Sequence, residues 1–200
     1  MQTRMSTGER QAEIVIAAIE LARSTSPAQI TTHDIAAAIG VTQGAVFKHF
    51  ATKEAIWLAA MKWVAGQLLA ALDAAEQSAP SALAALDAVF HAHVAFVVAH
   101  PGVPRFIFHE LQQPNDSAVK QEVRALLLAY RKLLLRQFGA AIRQRALPAD
   151  LNQQAAATLF VGIVQGLVMQ SMLDDKPASM KVQADHVFAI YLRGIREKRP

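Results

Sequence analysis

Between Thr31 and Thr52 the sequence places three threonines, Thr31, Thr42 and Thr52, each directly ahead of a helically patterned segment. A threonine hydroxyl there accepts a hydrogen bond from the free amides of a helix's first turn, so each marks a helix start. Asp34, three residues after Thr31, can reach back to complete a reciprocal cap. The first helix runs to Ile39 and is stopped by Gly40. Val41 plugs the turn, and the next helix covers Gln43 to Phe50, with Val46 and Phe50 facing inward and Gln43 and Lys48 outward. Two short helices joined by a glycine-containing turn, over residues 31–50, form a helix-turn-helix.

The flanks extend the helical reading over the whole chain. From Gly8 to Ser26, Ile14, Ala17, Ala18 and Leu21 recur at the spacing of one amphipathic face, and Ser24 to Pro27 ends the segment. Thr52 caps a long helix that begins at Lys53 and runs toward Ala79. Further helices are expected over Pro80 to Ala99, Pro104 to Leu111, Ser117 to Ala146, Asp150 to Leu173 and Met180 to Arg199, broken by Pro80, Pro101, Pro148 and Pro177. No segment alternates as a strand does and no fixed repeat occurs, so the fold class is all-α. The head and the body share the helix from Lys53 rather than a flexible tether.

Composition narrows the function without deciding it. The formal net charge of +4 is small for 200 residues. In the head, Arg4, Arg10, Arg23, Lys48 and Lys53 are matched by Glu9, Glu13, Glu20, Asp34 and Glu54, so an argument for DNA rests on where charges sit. Without cysteine there is no disulfide framework. The apolar runs Ala88 to Ala99 and Leu159 to Met169, interrupted by His91, His93 and Gln165, fall short of the roughly 18 residues of a membrane span and read as buried helices. Met1 to Gly8 has no apolar core of a secretory signal. The expected setting is cytoplasmic, with no membrane and no cofactor.

The run Thr31-Thr32-His33-Asp34-Ile35-Ala36-Ala37-Ala38-Ile39-Gly40-Val41-Thr42-Gln43-Gly44-Ala45-Val46-Phe47-Lys48-His49-Phe50-Ala51-Thr52-Lys53-Glu54 resembles the DNA-binding head of the TetR family, over about residues 8–60. The resemblance implies a head at 8–60 and a ligand-binding and dimerisation body at 61–200. It implies phosphate contacts at Thr32, Phe47, His49 and Lys53, and base or backbone contacts at His33, Gln43, Gly44, Ala45 and Lys48. Physical chemistry agrees: amides at the helix start capped by Thr42 suit a phosphate, and Gly44 and Ala45 permit close approach to the groove. The Gln43 amide can pair with adenine, and Lys48 can donate to guanine or phosphate. Phe47 departs from the family pattern, where tyrosine is common; the ring remains but its phosphate donor is lost. Alone, His33 and His49 read as surface histidines and Arg4 as belonging to a tail, whereas Lys53 beside a positive helix terminus favours an anion nearby.

For the body, the resemblance implies a homodimer through the helices at 150–173 and 180–199, where Gly162 and Gly166 allow close approach. A twofold dimer sets two recognition helices about 34–36 Å apart on a near-palindromic double-stranded operator. A pocket for a small apolar effector draws on Trp63, Phe90, Phe96, Phe106, Phe108, Phe160 and Met169, with His93, His109, Glu110 and Gln165 as polar groups; core packing is the competing account of the apolar residues, and a satisfied buried group or a surface position that of the polar ones. His91, His93, His100 and His109 invite a metal reading, but His91 and His93, two apart on a helix, point to different faces. The implied function is a repressor released by its effector. The alternatives are an architectural DNA protein without a ligand and an enzyme; the latter is opposed by the absence of a Gly-rich phosphate loop, a Gly-x-Ser-x-Gly elbow and a His-Glu-x-x-His helix.

Overall fold

The computed structural model of the protein describes residues 5–174 and 176–196. Among the described residues there are nine helices and no strand. They form two compact units, one built from the chain up to Gly66 with His100–Ala125, the other from Gln67–Ala99 and the chain from Leu126 onward. Arg4, and the end of the helix expected to reach Arg199, lie outside the described residues.

The first unit contains α1 (Thr7–Leu21), α2 (Thr32–Ala38), α3 (Gln43–Phe47), the start of α4 (Lys53–Gln77), α6 (Gly102–Gln112) and the start of α7 (Ala118–Arg143). A reciprocal cap opens α1: the Glu9 amide donates to Ser6 Oγ at 3.2 Å and the Ser6 amide to the Glu9 carboxylate at 2.7 Å. The helix ends at Leu21, before the expected Ser26. Between α2 and α3, Gly40 adopts φ +68°, the Val41 amide donates to the Ala36 carbonyl at 3.0 Å, and the Gly40 amide donates to that of Ala37 at 3.2 Å. This left-handed termination satisfies the last carbonyls of α2 and reverses the chain within two residues. Helix α3 closes at Phe47 rather than Phe50, and the His49 and Phe50 amides both turn back onto the Val46 carbonyl. Ile14, Ile30, Ile35, Val46 and Ile56 are fully buried and make the core around these short helices.

Helix α6 packs on α1 through bare backbone. A Cβ built on Gly102 would overlap the Ile19 carbonyl oxygen and stand 3.1 Å from the Arg23 amide nitrogen. Pro104 fits because it occupies the first turn of α6, where amides have no intrahelical acceptor. Phe106 is buried and stacks on Trp57 with centroids 4.8 Å apart.

The second unit contains the rest of α4 and α7, with α5 (Ala82–Ala99), α8 (Gln153–Leu173) and α9 (Ser179–Arg196). Helix α5 packs on α8 and α9, which pack on each other. Phe90, Phe160, Phe188, Tyr130 and Tyr191 form its aromatic centre, and the Tyr191 hydroxyl donates to the Ala156 carbonyl at 2.9 Å. Arg136 and Gln137 of α7 both donate to Glu76 near the end of α4.

One expectation needs correction. Over 18-residue windows α4, α5 and α8 have mean hydropathy 1.5, 1.8 and 1.6, so by length and composition three helices are long and apolar enough to cross a membrane. Isolated His91, His93 and Gln165 do not offset helices otherwise rich in Ala, Val and Leu. In this fold, 39 to 44% of those windows is buried inside the protein.

The two glycines carry different loads, and substitution separates them. Gly40→Ala places a Cβ in the left-handed region and is expected to cost about 1 kcal/mol, with Gly40→Asn milder. Gly102→Ala must push two backbones apart and is expected to cost roughly 2–3 kcal/mol, the upper range for an overpacked contact. Urea unfolding midpoints at neutral pH should rank wild type, Gly40→Asn, Gly40→Ala and Gly102→Ala in falling order.

Candidate nucleic-acid interface

The N-terminal turns of α2 and α3 are built by their caps. Thr31 Oγ1 accepts the Asp34 amide at 3.1 Å, while the Asp34 carboxylate accepts the Thr31 amide at 2.8 Å and its hydroxyl at 2.7 Å. These bonds, the backbone one first, hold the Asp34 carboxyl below its ordinary range. Thr42 Oγ1 accepts the Ala45 amide at 3.2 Å. Gln43 then donates from Nε2 to Thr32 Oγ1 at 2.6 Å, joining the first residue of α3 to the first residue of α2. Two helix starts, each with partial positive charge, are thereby held side by side. Thr32 is 9% exposed, and its hydroxyl hydrogen is unclaimed among the described residues.

Around this pair, His33, Thr42, Gln43, Gly44 and Lys48 are exposed, Ala45 and His49 are half-buried, and the Phe47 ring is 46% exposed. A Cβ on Gly44 would meet only Thr42 Oγ1, at 3.9 Å, so the chain's own packing does not require glycine there. His49 is fastened by its carbonyl, which accepts Gln11 Nε2 of α1 at 3.3 Å, and its Nδ1 is buried without a hydrogen-bond partner among the described residues. Lys53 Nζ donates to the Ala28 carbonyl at 3.0 Å. Its neighbour Glu54 is held below the usual carboxylate range by its own backbone N–H and then by the Thr52 hydroxyl.

The residues expected to line a pocket divide between the units. In the first, Trp63 is half-buried and meets His100 edge-on at 5.2 Å, Phe106 is buried on Trp57, Phe108 and His109 are half-buried, and Glu110 accepts a bond from the Ser117 hydroxyl. In the second, Phe90, Phe96 and Phe160 are buried, whereas Gln165 and Met169 are exposed. His93 Nδ1 lies 3.2 Å from the Tyr130 hydroxyl. Burial pushes the His93 pKa down to about 4 and the Tyr130 phenol up. His91 turns elsewhere, with Nε2 2.9 Å from Asp185 Oδ1 and Nδ1 3.3 Å from Asp87 Oδ1. Among the described residues no group of three or more His, Asp or Glu side chains is placed to hold a metal ion.

Residues 14–60 match the family model described as bacterial regulatory proteins, tetR family, and residues 110–187 match the tetracyclin repressor-like C-terminal domain. The chain belongs to the tetR family. Two solved structures share its all-helical fold. The fatty acid degradation regulator FadR from Bacillus halodurans superposes with a TM-score of 0.83 at 18% identity, covering 98% of this chain and 100% of that one. The transcriptional regulator FadR from Bacillus subtilis, determined in complex with stearoyl-CoA, gives 0.80 at 21% identity, covering 92% and 98%. The nucleoid occlusion factor SlmA of Haemophilus ducreyi is 26% identical over 121 residues, which is 60% of each chain. The chain thus spans about three fifths of the length of the first curated relatives that it matches.

Within this tetR-family head, the sequence reading named Thr32 and Gln43 separately, and the fold bonds them to each other. It missed the Gln11 anchor of His49, the Tyr130 partner of His93 and the close approach at Gly102. It also passed over Arg105, whose Nε is buried with no hydrogen-bond partner among the described residues; a lone charge within Val103 to Phe108 was the available signal.

The state of His93 gives a pH test. The unfolded chain takes up this proton near pH 6.5, the folded chain only near 4, so stability is unaffected above pH 6.5 and is lost as pH falls through that window. Urea unfolding should show an acid loss on the order of 2 kcal/mol between pH 6.5 and 4 that His93→Gln removes, at 1.4 kcal/mol per pK unit before allowance for partial exposure.

Proposed function

We propose that this chain is a homodimeric transcriptional repressor that holds a near-palindromic operator through α2 and α3 and releases it when a small, largely apolar effector binds the body. The observation that carries the reading is the Gln43–Thr32 bond, which sets two capped helix starts together beneath exposed His33, Gly44 and Lys48. In the complex, Gln43 reads a base edge and Lys48 a guanine or phosphate. The Thr32 hydroxyl, the Thr42-capped amides, His49 and the Gly44–Ala45 backbone approach the phosphates. Phe47 contributes a ring without a donor, and Lys53, with one N–H on the Ala28 carbonyl, has two further N–H donors for a phosphate.

The domain division offered is a head at 8–60 and a body at 61–200. Dimerisation is assigned to α8 and α9. Leu159, Met169 and Leu173 on α8, and Val182 and Ile190 on α9, are 49 to 79% exposed. Leu159, Ile163, Val187, Ile190 and Gly194 line one apolar groove between these helices. Gly162 and Gly166 face open space. An apolar stripe flanked by small residues suits a second copy of the same helices. Met169 belongs to this stripe.

The complex of the Bacillus subtilis regulator with stearoyl-CoA supports an effector with a long apolar portion. The packing of α6 on α1 provides a route by which a shift in α6 is felt by the head. A hundredfold loss of operator affinity needs only about 2.8 kcal/mol of such coupling. The FadR structures and the fatty acid metabolism regulator protein of Bacillus subtilis are regulators, which favours a regulator over an enzyme and a cytoplasmic setting. A second reading, an architectural DNA protein without an effector, draws on the likeness to a nucleoid occlusion factor.

Fluorescence anisotropy at fixed physiological salt, against DNA from the genomic neighbourhood, decides the head. A saturable near-palindromic site that either Gln43→Ala or Lys48→Ala weakens about tenfold, the effect of one good base contact, is expected. Equal, weak binding of all fragments by all three proteins would exclude it. For the body, Ile190→Arg should convert the dimer to monomer in sedimentation velocity and abolish the footprint. A variant that stays dimeric would move the interface away from α9.

A further inference from the structure

The chain's excess positive charge lies on and just after α7, not in the helix-turn-helix. From Val123 to Ala149 there are Arg124, Arg131, Lys132, Arg136, Arg143 and Arg145 and no Asp or Glu. These six exceed the formal net charge of +4, so the rest of the chain is net acidic. Two of them are neutralised, Arg124 by Asp116 at 2.7 Å and Arg136 by Glu76. Arg131 donates only to the uncharged Gln154, and the Lys132 ammonium has no hydrogen bond or ion pair among the described residues. Leu127 is 42% and Leu128 69% exposed beside them. Leu128, Arg131 and Lys132 stand at i, i+3 and i+4, so leucine and uncompensated cations share one outward patch of the helix.

A surface of opposite charge lies in the first unit. Between α1 and α2, Ile16, Leu21 and Ile39 line an open apolar groove of about 560 Å³ whose rim carries Glu9, Glu13 and Glu20. Ile16 is 45% exposed. Glu9 is tied to the Ser6 amide and Glu13 to Arg10 at 2.5 Å, while the Glu20 carboxylate has no hydrogen bond or ion pair among the described residues. Carboxylates around an apolar floor repel a phosphate backbone and select a basic, apolar partner.

We propose that the α1–α2 groove of one copy receives the Leu127–Lys132 face of α7 of another copy, a contact by which copies of this chain associate beyond the α8–α9 pair. The leucines enter the apolar floor while Arg131 and Lys132 meet the glutamates of the rim. DNA would answer the cations of α7 but not its leucines, and an anionic bilayer would leave the groove empty; a second copy satisfies both surfaces. Because two different surfaces meet, each copy keeps one of each free, and association continues as an open array instead of closing at a pair. The patch is small and its charges are screened by salt, so the contact is weak between free molecules and strengthened between units held on one duplex.

Glu20→Lys and Lys132→Glu test it, since neither side chain holds anything within its own chain. Sedimentation equilibrium is run on the full-length protein at low and high salt. Wild type should form species larger than its high-salt unit at low salt only. Each variant alone should associate about fivefold more weakly, or less, as reversal of an exposed ion pair implies. An equal mixture of the two should regain association, because intact groove then meets intact α7 across the mixture and the two reversed surfaces also match. The contact should persist with Ile190→Arg added; its loss there would assign it to the α8–α9 stripe and overturn the inference. Since association is read above whichever unit wild type forms at high salt, failure of the α8–α9 dimer leaves this test intact. The inference is also overturned if nothing larger forms at low salt, if both variants associate as wild type does, or if the mixture stays apart. Flotation with phosphatidylglycerol vesicles covers the other occupant: binding that Lys132→Glu abolishes, without self-association, gives α7 to an anionic bilayer instead.

Discussion

The left-handed turn at Gly40 is the constraint on which the head depends. Helices of seven and five residues are too short to hold themselves, and each is kept by its cap and by what it packs on. By reversing the chain within two residues, the turn brings the start of α3 back to the start of α2, where Gln43 can donate to Thr32. Val46 is then driven into the same core as Ile14, Ile35 and Ile56, and the opposite face, with Gln43, Gly44 and Lys48, is left in solvent. The acids nearest this surface, Asp34 and Glu54, are tied into caps, so their charge is directed to helix termini.

A second contact of the same economy joins α6 to α1. Because Gly102 has no side chain, α6 rests on the Ile19 carbonyl itself, a contact with little room to absorb displacement. Flexible side chains between two helices damp small motions, whereas backbone on backbone passes them on. The second unit has the opposite character. Its aromatic centre is sealed by Phe90, Phe160, Phe188, Tyr130 and Tyr191, while α8 and α9 leave Leu173 and Val182 largely in solvent. A sealed core beneath an apolar exterior fits a unit completed by association rather than by further folding.

How far the sequence could be read depended on range. Thr31, Thr42, Thr52 and Gly40 act on residues within one turn, so their caps and stop were legible. The end of α3 was placed late because Phe50 does face the core, yet it reaches there from a turn and not from a helix. The apolar helices were misjudged because interruptions were weighed singly; mean hydropathy over 18 residues hardly registers one histidine or glutamine. Met169 and Phe160 look alike in an apolar run, but one lies in solvent on α8 and the other is fully buried.

The sequence by itself determined the helix starts and stops, the helix-turn-helix and the all-α class, since these follow from hydrogen bonds and periodicity within a few residues. Only the tertiary structure decided that Gln43 bonds Thr32, that Gln11 holds His49 from 38 residues away, that Tyr130 meets His93, and that Arg105 Nε is buried without an acceptor among the described residues. Those outcomes depend on which helix faces meet, and a pattern along one helix carries no record of its neighbour.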